Sequence, residues 1–224
     1  MSEQPLRFAQ PDYREHFVHY GNFAGQAPYE LAQDYVVVDV ETSGLEPAKG
    51  ARVIEIAAIR TPGDATVTDS FHTLINPQSS DVGLTSLHGV SAGMVADAPE
   101  FAEVIDHIKS IFSNAIFVAH HALFDERFVA NEFALVGQKL ATMPGACTYW
   151  MSRAVTDEVP NHKLATLTQR YEIDPGTAHS AFSDAMSVVQ LMPHLIERMN
   201  HPAHYVGLSS QNATMPNNAV LKQR

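Results

Sequence analysis

The chain has 224 residues, 45% of them hydrophobic and 17% charged, which at about 150 residues per domain means one domain with extensions or two small ones, with a sizeable core. No run reaches the roughly 18 apolar residues that span a bilayer, the start Met1-Ser2-Glu3-Gln4-Pro5 has no leader-like pattern, and the lone Cys147 excludes an internal disulfide, so a soluble protein of the cytoplasm, with no membrane partner, is expected. Lys and Arg number 14 against 25 Asp and Glu, a net charge of -11 without a basic run, which disfavours a grip along a long duplex but leaves open a nucleic-acid end held through metal ions.

From Tyr35 to about Asn200, short β-branched runs alternate with helix-like segments, the pattern of an α/β domain. Val36 to Val40 is the first predicted strand, Val53 to Arg60 the second and Val67 to Ile75 the third. Their short connections predict an antiparallel meander. Gln78 to Ala98 reads as loop. Asp97, with Glu100 three residues on, predicts a capping box that opens a helix. That helix carries Phe101, Val104, Ile105, Ile108, Ile111 and Phe112 on one face. Ala115 to Ala119 is wholly apolar, as suits a central strand. Helices are expected near Asp125 to Val136, Thr148 to Ala154, Lys163 to Tyr171 and Ser180 to Arg198, the last kinked or broken at Pro193.

The ends differ from this domain, which is assigned to residues 35–200. Residues 1–34 hold Phe8, Tyr13, Phe17, Tyr20, Phe23 and Tyr29, too much apolar surface for a free tail. Tyr13, Phe17 and Tyr20 share a helix face that Gly21 would end. This arm packs on its own domain, on a second copy or on a partner. Residues 201–224 are rich in Asn, Gln and Ser and read as a polar tail.

Three short segments carry chemistry. Asp39 and Glu41, two apart on a strand, point to one side; alone, they read more readily as a solvated turn. Asp125 follows the apolar fourth strand at the opening of a helix, where α/β sheets present ligand groups, although a helix N-terminus also favours aspartate for itself. His179 lies on the loop before Asp184, which sits near the apolar face of the last helix. Together they supply four carboxylates and a histidine. Hard oxygen ligands suit Mg²⁺ or Mn²⁺ rather than zinc. Two such ions assist displacement at a phosphodiester, and a histidine titrating near neutrality suits the attacking water.

The segments Asp39-Val40-Glu41-Thr42-Ser43-Gly44-Leu45, Val118-Ala119-His120-His121-Ala122-Leu123-Phe124-Asp125 and His179-Ser180-Ala181-Phe182-Ser183-Asp184 resemble, in order, the three exonuclease motifs of DnaQ-like 3′–5′ exonucleases. The step from His179 to Asp184 resembles the DEDDh subgroup. Ser86-Leu87-His88-Gly89-Val90-Ser91 with Asp97-Ala98-Pro99 resembles the stretch between the first two motifs of polymerase III epsilon-like members. The similarity runs from about Tyr35 to Met199.

The resemblance implies a ribonuclease H-like mixed sheet, an antiparallel three-strand meander plus parallel strands, flanked by helices. It implies two divalent cations, with Asp39, Glu41, Asp125 and Asp184 as ligands and His179 as general base. Thr42 and Leu45 fall where relatives meet the terminal nucleotide; Leu87, His88 and Phe124 are further candidates for that pocket. The implied substrate is the 3′ end of single-stranded DNA, cut to nucleoside 5′-monophosphates in proofreading or repair. Trimming of RNA ends is the alternative, and an inactive module binding a nucleic-acid end or a polymerase the rival of another class. The N-terminal arm would serve a polymerase subunit or self-association. One departure is His121, where many relatives have Asn.

Overall fold

The computed structural model describes residues 18–20, 34–141, 143–176 and 179–200. Strand β1 is Val18–Tyr20, β2 Tyr35–Thr42, β3 Val53–Thr61, β4 Asp69–Leu74, β5 Ile116–Ala119 and β6 Met143–Cys147. They form one sheet in the order β1-β6-β5-β2-β3-β4. β2, β3 and β4 pair antiparallel, as the short connections predict, while β1, β6, β5 and β2 run parallel. Helix α1 is Thr85–His88, α2 Ala92–Val95, α3 Phe101–Phe112, α4 Ala122–Leu135, α5 Thr148–Val155, α6 Leu164–Arg170 and α7 Ala181–Asn200.

The two-residue alternation of β2 divides the core. Val36, Val38 and Val40 face α3 and α4, joining Phe101, Ile108, Phe128 and Phe133 in one apolar layer. Tyr35 and Val37 face the other way, onto Val155, Leu167, Val188, Val189 and Leu195 of α5, α6 and α7. All four residues of β5 are buried, as a strand covered on both faces requires. Each such side chain stabilises the fold by about 1.5–3 kcal/mol through burial, and Phe128→Ala would cost about 3–5 kcal/mol. At the mouth of β3, Glu132 of α4 is wholly buried. Its carboxylate accepts two hydrogen bonds from Arg52, at 2.8 and 2.7 Å, and one from the Val53 amide at 3.0 Å. A buried charge so fully paired is tolerated and pins α4 to the sheet.

Several elements depart from expectation. The capping box sits at Glu100 and Glu103 rather than Asp97 and Glu100. Pro99 disfavours helical backbone at Ala98, and the Pro99 carbonyl accepts the Asn76 amide. The stretch expected as loop contains α1 and α2, of four residues each. Strand β6, Met143-Pro144-Gly145-Ala146-Cys147, has too little β propensity to announce itself. Helix α7 continues through Pro193 without a break. Tyr20 belongs to a strand paired with β6 rather than to a helix; Tyr13 and Phe17 lie outside the described residues, as does the polar tail. No helix among the described residues is long and apolar enough to cross a membrane.

Candidate active site

The site forms where β2 parts from β5. Those strands pair only over Tyr35 to Val37 of β2, so Asp39 to Thr42 extend beyond β5 at its carboxyl end. Strand order reverses there, because β5 and β3 flank β2, and such switch points open a crevice. Asp125, in the first turn of α4 and 3% exposed, fills part of the gap, its Oδ1 accepting the Val40 amide at 3.3 Å. Asp39 and Glu41 share the face of β2 on which α7 packs, both half-buried. Asp184 enters from the first turn of α7, its amide donating to the Ser180 carbonyl at 2.9 Å. His179, exposed on the preceding loop, completes the group. Ligand atoms of Glu41, His179 and Asp184 all lie within 4.8 Å of one another.

The carboxylates of the site crowd one another. Burial, then the charges of Asp125, Asp184, Glu41 and Glu55, pushes Asp39 well above the usual carboxylate range. Burial, with Asp184, Glu55 and Asp125, raises Glu41 to about 8. Burial also raises Asp184, while the imidazole of His179 acts the other way. A hard divalent cation relieves such repulsion, and these donors, all oxygen apart from one imidazole, fit Mg²⁺ or Mn²⁺.

The surrounding candidates occupy two loops and a helix face. The Thr42 hydroxyl donates to the Gly44 carbonyl at 2.7 Å and tightens the turn after β2. Leu45 beyond it is 64% exposed. The Leu45 carbonyl accepts from Arg127 at 2.6 Å, and that guanidinium lies over the Phe124 ring, 5.4 Å from its centre. Phe124 is half-buried against the α3–α4 layer. Gly83 backs onto the same turn: a Cβ there would stand 2.5 Å from the Ser43 carbonyl oxygen. This contact brings α1 beside the end of β2, with Leu84 and Leu87 exposed. His88 is buried at the end of α1. Its Nδ1 accepts the Val90 amide at 3.1 Å, which leaves the proton on Nε2.

His120 and His121 separate in role. His120 is tied down between the Thr148 hydroxyl (3.0 Å) and the His162 carbonyl (2.9 Å). His121, with φ of 69°, is the residue before α4, and its ring stacks on Tyr149 at 4.0 Å between centroids.

Sequence reasoning missed Glu55. It lies on β3 directly across from Glu41, 4% exposed, and its charge bears on Asp39, Glu41 and Asp184. The signal was a carboxylate within the apolar run Val53-Ile54-Glu55-Ile56-Ala57-Ala58-Ile59, where burial without a partner is costly.

A family model described as an exonuclease matches residues 36–192. DNA polymerase III PolC-type of Oceanobacillus iheyensis is 32% identical over 201 residues, covering 89% of this chain and 14% of that protein. The 3′–5′ exonuclease DinG of Bacillus subtilis is 32% identical over 168 residues, covering 75% of this chain and 18% of DinG. The chain thus spans a small fraction of these relatives' length. Among solved structures, exonuclease X in complex with 5′ overhanging duplex DNA has a TM-score of 0.57 at 22% identity, covering 80% of this chain and 96% of that one. The nuclease domain of 3′hExo, a DEDDh family member bound to rAMP, has a TM-score of 0.62 at 16% identity, covering 74% and 92%. At those identities the likeness speaks to the fold, which is ribonuclease H-like. The chain belongs to the exonuclease family, as the DnaQ-like resemblance of its three motifs implies.

Proposed function

We propose that this domain hydrolyses the terminal phosphodiester at the 3′ end of single-stranded DNA, releasing nucleoside 5′-monophosphates. The observation that carries the reading is the meeting of Glu41, His179 and Asp184 within 4.8 Å, beside Asp39 and Asp125, in a crevice where carboxylates are unstable without cations. Asp39, Glu41, Asp125 and Asp184 are the residues that would hold two divalent ions, Mg²⁺ or Mn²⁺. Such a pair, when bound, supplies positive charge to the attacking and leaving oxygens of an in-line displacement.

The chain's own residues do the rest. His179 Nδ1 or Nε2 takes a proton of the attacking water as the water oxygen bonds to phosphorus; the bond from phosphorus to the upstream 3′ oxygen breaks, and that oxygen takes a proton from solvent to become the new 3′ hydroxyl. The exposure of His179 lets it pass that proton to solvent. Thr42 and Leu45 meet the terminal nucleotide, with Leu87, His88 and Phe124 around it, and the exposed leucines offer an apolar seat for a base. An acidic chain with no run of basic residues grips only a few nucleotides. This favours work beside a polymerase subunit, in proofreading or repair in the cytoplasm, and the PolC-type relatives support that reading.

Chromatography of the products from DNA and RNA oligonucleotides of one sequence tests this directly. Nucleoside 5′-monophosphates released faster from DNA are expected. Faster release from RNA would reassign the substrate, and 3′-monophosphates would overturn the proposed bond cleavage.

A further inference from the structure

We propose that Glu55 is a positioning residue: its carboxylate, held by His72, fixes Ser180 and thereby the loop that carries His179. The inference rests on the reading above, in which His179 acts on the attacking water. Glu55 Oε1 accepts hydrogen bonds from His72 Nε2 at 2.7 Å and from the Ser180 hydroxyl at 3.3 Å. Ser180 is the neighbour of His179, and its carbonyl accepts the Asp184 amide. One residue therefore governs both the histidine and the aspartate of the third motif.

The surrounding structure shows why a tie is needed. His179 has φ of 57°, in the left-handed region, where a non-glycine residue is strained and stays only if its surroundings hold it. His72 lies on β4, opposite Ala57 and diagonal to Glu55 on the same face. Its ring also packs against Phe182 of α7, 5.4 Å between centroids. Strands β3 and β4 thus clasp the start of α7 at positions 180 and 182, on either side of Ala181. A buried carboxylate facing Glu41 is otherwise a liability; this clasp gives it a purpose.

The test measures kcat and KM on a single-stranded oligonucleotide for Ser180→Ala, Ser180→Thr, Glu55→Ala, Glu55→Gln and the double alanine variant. Amide exchange at residues 180–184 of each metal-free protein accompanies it. Ser180→Ala and Glu55→Ala should each lower kcat by about 10–100-fold, the scale of a misplaced catalytic group, with KM within about twofold. The double variant should be no worse than the poorer single one, because both break one tie. Ser180→Thr and Glu55→Gln keep a hydroxyl donor and an oxygen acceptor, and should recover most of the loss in kcat and in exchange protection. Unchanged kcat in Ser180→Ala, multiplied losses in the double variant, or a Glu55→Gln as impaired as Glu55→Ala would overturn the proposal. Wild-type protein without turnover would overturn the exonuclease reading instead, and exchange would still decide whether Glu55 holds the loop.

Discussion

Glu41 and Glu55 face each other across the antiparallel pair of β2 and β3, so two carboxylates stand side by side on the sheet face that also carries Asp39. Like charges directly opposed destabilise a sheet. The fold therefore carries stored repulsion at the point where its chemistry is proposed.

That repulsion makes stability depend on pH. Glu41 is raised to about 8, and Asp39 and Asp184 are raised as well. Between the ordinary carboxylate range and those raised values the folded protein binds more protons than the unfolded chain. Stability of the metal-free protein must then fall as pH rises through this window. Thermal unfolding in EDTA should show a lower Tm at pH 8.5 than at pH 6, by roughly several degrees. Excess Mg²⁺ or Mn²⁺ should reverse the loss by binding the folded state alone.

Neutralising Asp39 should separate stability from activity. Asp39→Asn removes a charge that Asp125, Asp184, Glu41 and Glu55 all oppose, so the metal-free variant should be more stable by about 1 kcal/mol or more. Its turnover should fall by about 10³-fold or more, on the scale of lost charge stabilisation at a transition state. Paired melting and rate measurements check both signs.

Gly83 should be intolerant of a side chain. Its φ of 76° and the 2.5 Å approach of a Cβ to the Ser43 carbonyl oxygen leave no room for alanine. Gly83→Ala should cost about 1–3 kcal/mol and raise KM more than it lowers kcat, because it parts α1 from the turn bearing Leu45. Gly89, also at positive φ but with open space around it, is the control: its alanine variant bears strain without that displacement.

His121→Asn should fold normally, since asparagine tolerates the left-handed backbone that His121 adopts. It gives up the stack on Tyr149, worth about 0.5–1.5 kcal/mol. A change in KM for the oligonucleotide with kcat nearly constant is expected from steady-state kinetics.

The parts readable in the sequence were those with local causes. The buried face of α3, from Phe101 to Phe112, follows from helical spacing, and all six residues expected there are buried. The meander follows from short connections between β-branched runs. Strand β6 was not readable, because Pro144 and Gly145 disguise it and only pairing with β5 and β1 makes it a strand. Within the site, Asp39, Glu41, Asp125, His179 and Asp184 are marked by three short ordered segments. Glu55 is not, because its significance comes from the register that sets it opposite Glu41 and from a hydrogen bond to a residue 125 positions away.

The most direct measurement follows a 5′-labelled single-stranded DNA incubated with the protein and Mg²⁺ or Mn²⁺, with EDTA and Asp184→Ala as controls. A ladder that shortens from the 3′ end, and disappears with EDTA and with Asp184→Ala, is the predicted result. A folded, metal-supplied protein that leaves the strand intact, or a ladder that persists in Asp184→Ala, would contradict the account.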